Sequence, residues 1–154
     1  MTEEQTVSEL GNSLKVALAD TFVMMTQAWS FHWNVEGPDF KSLHDMFSVI
    51  YTDLQGAVDP LAEHIRSLDE YAPGSLKRFS ELTTLEEDVK IPTATNMVTR
   101  LLETNQKVIQ SLNEALEQAK VANNEGAVNF LGARLEIHAK WSWFLRATAK
   151  KDRA

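Results

Sequence analysis

Apolar residues recur every three to four positions through four stretches of the chain. That spacing marks one face of an α-helix rather than the alternation of a strand. The first stretch carries Val7, Leu10, Leu14, Ala17, Leu18, Met25, Ala28 and Trp29, and the second runs from Phe40 and Leu43 through Phe47, Ile50, Leu54, Val58 and Leu61 to Ile65 and Leu68. The third holds Val98, Leu101, Leu102, Ile109, Leu112, Leu116 and Ala119; the fourth holds Val128, Leu131, Leu135, His138, Trp141, Leu145 and Thr148. Breakers fall between them at Gly37-Pro38, Pro73-Gly74, Pro92 and Gly126. The pattern predicts an all-α chain of four long helices.

The connections say how those helices are joined. Residues 34–38 and 123–126 are short links, which make their flanking helices antiparallel neighbours. Residues 70–92 exceed the usual ~2–8-residue bundle link several-fold, so they are predicted to cross the length of the bundle. A short helix is expected within them, around residues 76–81. One long crossover between helices two and three, joining two antiparallel pairs, is the ferritin-like form of the four-helix bundle. A cytokine-type bundle would need two such crossovers. With no internal repeat or low-complexity tract, residues 1–154 read as one domain.

Composition narrows the chemistry. The 154 residues include no cysteine, and 15 Lys+Arg against 22 Asp+Glu give a net charge of −7. Disulfide frameworks and Cys-ligated zinc or iron–sulfur sites are thereby excluded. No apolar run approaches the ~20 residues that span a bilayer. The start, Met-Thr-Glu-Glu-Gln-Thr, lacks the basic-then-apolar order of a secretory signal. These features together give the expectation of a soluble, cytoplasmic protein. The acidic balance argues against nucleic acid, whose binding begins with a basic patch.

Metal-friendly side chains gather at the start and middle of helix two. His32 closes helix one, His44 lies early in helix two, and Asp59 and Glu63 stand one turn apart further along. At ~100° per residue the Leu43–Ile65 seam occupies one arc, while His44, Ser48, Asp59 and Glu63 form a second stripe beside it. His44 and Asp59 are ~22 Å apart along the helix at ~1.5 Å per residue, so one chain cannot bring them to one ion. Two copies crossing antiparallel about a twofold axis can, each lending its His44 to the other's Asp59 and Glu63. Nitrogen and oxygen donors without sulfur suit iron, manganese or zinc. The Glu-x-x-His pairs of the intra-bundle di-iron site are missing. On spacing alone a plainer account stays open, and is the commoner one: helix-end histidines with satisfied hydrogen bonds, beside solvated carboxylates.

The run HWNVEGPDFKSLHDMF from His32, continuing through VDPLAEHIRSLD, and the late HAKWSWFLRA segment resemble the Dps family of mini-ferritins. That resemblance covers most of the chain. It implies a hollow dodecamer of four-helix subunits, a homo-oligomer whose ferroxidase sites sit on twofold interfaces. There iron(II) would be oxidised, preferably by hydrogen peroxide rather than oxygen, and the ferric product stored in the cavity against oxidative stress. His32 and His44 resemble the iron ligands, and catalytic residues, of one subunit; Asp59 and Glu63 resemble those of its partner. Trp33 resembles the aromatic residue beside the iron.

Four features qualify the resemblance. The family's carboxylate four residues after the second histidine is Ser48 here, a weak ligand, which predicts slower oxidation or one tight and one weak ion per site. Asp45 is the nearest substitute, though it points ~100° away from His44. A degenerate site that holds zinc or manganese without turnover, in a structural or DNA-coating cage, is the competing function. Pro60 should bend helix two beside Asp59. The amino end is acidic, with Glu3, Glu4 and Glu9, and the basic Lys150-Lys151-Asp152-Arg153 is one turn long. DNA binding is therefore not expected. His138, Trp29, Trp141 and Trp143 are assigned to packing and His64 to solvent.

Overall fold

The computed structural model describes residues 1–151. Four long helices and one short one follow in order: α1 (Glu3–Asn34), α2 (Phe40–Ser67), α3 (Leu76–Leu82), α4 (Ala94–Val121) and α5 (Glu125–Ala149). Local chemistry sets most starts. Thr2 and Gln5 form a capping box on α1, and Ser75, Thr93 and Asn124 cap α3, α4 and α5 through their side chains. Such caps satisfy amide groups that a helix start leaves without partners. Asp69 and Asn123 take positive φ angles just past α2 and α4, where a chain leaving a helix commonly turns left-handed. The short helix predicted at 76–81 is α3, and the crossover spans 68–93.

Packing explains why α1 is the axle of the fold. It lies against α2, α4 and α3, while α5 packs mainly on α4. Leu10, Leu14, Leu18, Met24 and Phe31 are all buried along it, and they meet Phe47, Ile50, Leu54, Leu61 and Ile65 of α2. Gly11 makes room where the crossover begins. The Glu70 carboxylate occupies the space a Cβ would need, 2.0 Å from it, and reaches Lys15 at 2.9 Å.

Two buried polar networks tie the elements together. Asp20, wholly buried in α1, accepts hydrogen bonds from the Thr83 hydroxyl (2.6 Å), the Thr84 amide and hydroxyl (2.8 and 2.7 Å) and the Ser111 hydroxyl (2.5 Å). It thereby fastens the far half of the crossover, and α4, to the centre of α1. In the second network Arg134 makes a two-pronged pair with Asp53, both contacts 2.9 Å, and donates to His138 Nε2 at 3.1 Å. The His138 Nδ1–H donates to Asn105 Oδ1 at 2.7 Å, and Asn105 donates onward to Ser142 at 2.8 Å. Trp141 Nε1–H also reaches Asp53, at 3.2 Å. His138 is thus the core histidine expected. Trp141 is buried as assigned, whereas Trp143 is 60% exposed, because its position falls on the outer face of α5.

Asp20→Ala should lower the unfolding free energy by about 2–4 kcal/mol, because it strands several buried donors at once. Guanidinium unfolding at fixed protein concentration measures it. A second expectation concerns acid. Burial, and then the neighbouring Arg134 charge, push the His138 imidazole down to about 3 from its ordinary 6.5. The unfolded chain therefore takes up a proton that the folded one refuses. Stability from this group is complete above about pH 6.5 and declines toward pH 3, by at most about 1.4 kcal/mol per pH unit. His138→Gln should flatten the dependence of unfolding free energy on pH between 6 and 4 by up to that slope.

Candidate metal centre

The two histidines come together because the link between α1 and α2 is short and tightly turned. Residues 35–39 pass from a buried Val35 through Gly37, whose φ of 112° favours a residue without Cβ, to the start of α2. The last turn of α1 then faces the second turn of α2. His32 Nδ1 lies 2.7 Å from the His44 main-chain oxygen, and His44 Nδ1 lies 2.7 Å from the His32 main-chain oxygen. A carbonyl only accepts, so each Nδ1 carries a proton, and in the neutral ring Nε2 keeps the lone pair. The rings stack at 3.7 Å, 16° from parallel. The hydrogen bonds expected by the plainer account are made, and they use the Nδ1 atoms alone.

Aromatic rings frame the pair. Tyr51 stands edge-on to His32 at 5.2 Å, and Phe40 lies 5.1 Å from His44. Trp33, which the resemblance sets beside the iron, is 67% exposed and stacks on Trp29 at 6.0 Å. Trp29 in turn lies 5.6 Å from Tyr51. The signal for Tyr51 was its spacing, seven residues or two turns after His44.

The carboxylates form a separate pair. Asp59 and Glu63 are exposed on α2, and a hydrogen bond to the Asp59 carboxylate, reinforced by that residue's charge, raises the Glu63 pKa above its ordinary value. Two carboxylates facing each other in this way gain from a shared cation. Among the described residues no three His, Asp or Glu side chains converge as a metal-binding group. Ser48 is half-buried on the same helix. Asp45 is held by Lys41 at 2.8 Å through both oxygens, which, with that lysine's charge, lowers its pKa. Helix α2 continues unbroken through Pro60. His64 departs from expectation: it is half-buried with its ring 4.8 Å from Phe130, and burial lowers its pKa.

Comparison with known proteins places the chain in a family. The sequence model of the ferritin-like domain matches residues 12–154. "DNA protection during starvation protein 2" of Bacillus anthracis is 30% identical over 135 residues, covering 87% of this chain and 92% of that one. The chain belongs to the Dps family. An uncharacterised low-temperature-induced protein of a Nostoc species is 32% identical over 149 residues, 96% of this chain and 83% of its own length. A Dps structure from Vibrio cholerae O1, titled as one of the ferritin-like diiron-carboxylate proteins, has a TM-score of 0.91 at 26% identity, covering 96% and 92% of the two chains. The all-α, ferritin-like architecture expected from the sequence is thus that of Dps proteins. No described helix is long and apolar enough to cross a membrane. The basic tail singled out above is described only as far as Lys151; residues 152–154 lie outside the described chain.

The tautomer assignment is directly testable. In metal-free protein, nitrogen-15 spectra of His32 and His44 should show a protonated Nδ1 and an unprotonated Nε2. That is the reverse of the form favoured by free imidazole side chains.

Proposed function

We propose that this Dps chain binds iron(II) between subunits, oxidises it and stores the ferric product in a homo-oligomeric cage, the dodecamer its family resemblance implies. What carries the reading is the histidine clasp. Two nearly parallel rings 3.7 Å apart each spend Nδ1 within the subunit and leave Nε2 available as a ligand. Each suits its own ion, as in two-metal sites whose ions stand ~3.5–4 Å apart. Asp59 and Glu63 of a second subunit would supply the negative charge that the neutral imidazoles lack. One reaction uses both ions: each iron(II) gives up one electron, hydrogen peroxide accepts the two, and with two protons it leaves as two waters. Those two electrons take peroxide all the way to water, whereas they take oxygen only as far as peroxide.

Ser48 makes the two positions unequal. One ion keeps a full set of protein donors and the other relies on water, so binding is expected in a tight and a weak step. The iron(II) is substrate and cargo rather than a resident cofactor. Net negative charge, repeated over the cage, favours cations and opposes DNA at physiological salt.

Anaerobic iron(II) titration followed by peroxide, or by oxygen, tests the proposal. The expected course is saturable binding, then faster formation of ferric product with peroxide. His32→Ala or Asp59→Ala should weaken binding by about 10–100-fold or more, since each removes a ligand outright. Ser48→Asp should tighten the weak step. Zinc or manganese bound at these residues with no iron oxidation would overturn the ferroxidase reading.

A further inference from the structure

A cavity lies on the side of α1 turned away from the histidine clasp. Its volume is about 230 Å³, and it is enclosed by residues 23–31 of α1, by Thr104 of α4 and by residues 85–90 of the crossover. At ~100° per residue, Val23, Gln27 and Ser30 share one face of α1, and His32 projects from the opposite one. The floor is apolar, since Val23, Phe31 and Leu85 are all buried. Arg100 Nε, 2.6 Å from the Asp88 carboxylate, ties the crossover to α4 and so keeps the cavity formed.

Two features set what this space accepts. One is Gln27, whose Oε1 is shut off from solvent and has no hydrogen-bond partner among the described residues. An orphaned buried acceptor is costly, and an apolar side chain of the same length would pack there without that cost. The Gln27 amide lines the cavity, and rotation about its soft terminal bond turns the oxygen inward. The hydroxyls of Ser30 and Thr104 line the same space. The other feature is charge. Glu86, Glu87 and Asp88 stand against the single cation Lys90, and Asp88 is already matched by Arg100. The mouth is left with two carboxylates to one ammonium.

We infer that this cavity binds a small organic ammonium ion with an apolar body. The body lies on Val23, Phe31 and Leu85. The N–H groups are met by Gln27 Oε1 and the two hydroxyls, and Glu86 and Glu87 supply the countercharge. An anionic ligand would meet those carboxylates in repulsion, and a purely apolar one would leave the Gln27 oxygen unanswered. A cavity of about 150 Å³ holds benzene, so this one admits roughly nine non-hydrogen atoms. The site stands apart from the proposed iron chemistry, none of whose residues lines it.

Phenethylamine is a primary amine of that size. It can be titrated by calorimetry into the metal-free, assembled protein at fixed ionic strength, beside its neutral and anionic counterparts, phenylethanol and phenylacetate. The amine should saturate at one per subunit and bind about tenfold more tightly than the alcohol, the gap between a charge-assisted and a neutral hydrogen bond. The acid should not bind. Gln27→Met should keep alcohol binding and bring the amine down to the alcohol's affinity. Ser30→Leu fills the cavity without changing surface charge, and should abolish binding of both with helical circular dichroism unchanged. Amine uptake that survives Ser30→Leu is attraction to the acidic surface and overturns the site. So does a Gln27→Met protein that keeps the full preference for the amine. Equal binding of amine and alcohol by the unaltered protein, or saturable binding of neither, overturns it as well.

Discussion

The exchange of hydrogen bonds between His32 and His44 is the constraint around which the site is organised. Each imidazole spends its Nδ1 proton on the other's main-chain carbonyl, so the orientation of both rings is set by backbone at a helix end and a helix start. Those carbonyls belong to the two helices that carry the rings. The clasp therefore does two jobs with the same atoms: it closes the turn between α1 and α2, and it fixes which nitrogen faces outward. The ring contacts with Tyr51 and Phe40 restrict the remaining freedom. A loop-borne pair would have to be ordered on binding metal; this pair is ordered by the fold.

The rest of the molecule keeps those two helix ends in place. Buried apolar surface joins α1 to α2, but apolar contact is non-directional and does not by itself fix register. The directional work falls to Asp20 and to the Asp53–Arg134–His138 network, whose hydrogen bonds admit few alternative arrangements. Asp53 is on α2, between the clasp and the carboxylate pair, and Arg134 secures that stretch to α5. The segment of α2 that separates the two half-sites is thus anchored from behind while its outer face stays free.

What the sequence made legible, and what it did not, divides along physical lines. Helix positions and the crossover could be read because Leu and Ile at three- and four-residue spacing have one dominant explanation. The family resemblance groups His32 with His44. Their tautomer could not be read, because it depends on two main-chain carbonyls that the fold brings within reach. Tyr51 as the ring against His32 could be suspected only from its place two turns after His44 on the same helix. His64 looked solvent-facing because its contact, Phe130, is remote in the chain. Asp20 gave no sign of burial, since its four donors come from residues 63 to 91 positions away.

The central claim is that the chemistry is completed by side chains of two subunits, and mixing two defective proteins tests it most directly. One carries His32→Ala and His44→Ala; the other carries Asp59→Ala and Glu63→Ala. Each alone should neither bind iron(II) tightly nor oxidise it. After joint unfolding and reassembly in equal amounts, random pairing about a twofold leaves roughly a quarter of the sites with all four ligands. The account predicts recovery of about that fraction of tight iron binding and of oxidation. Mixed assemblies that form, by mass spectrometry, and yet recover neither would contradict it.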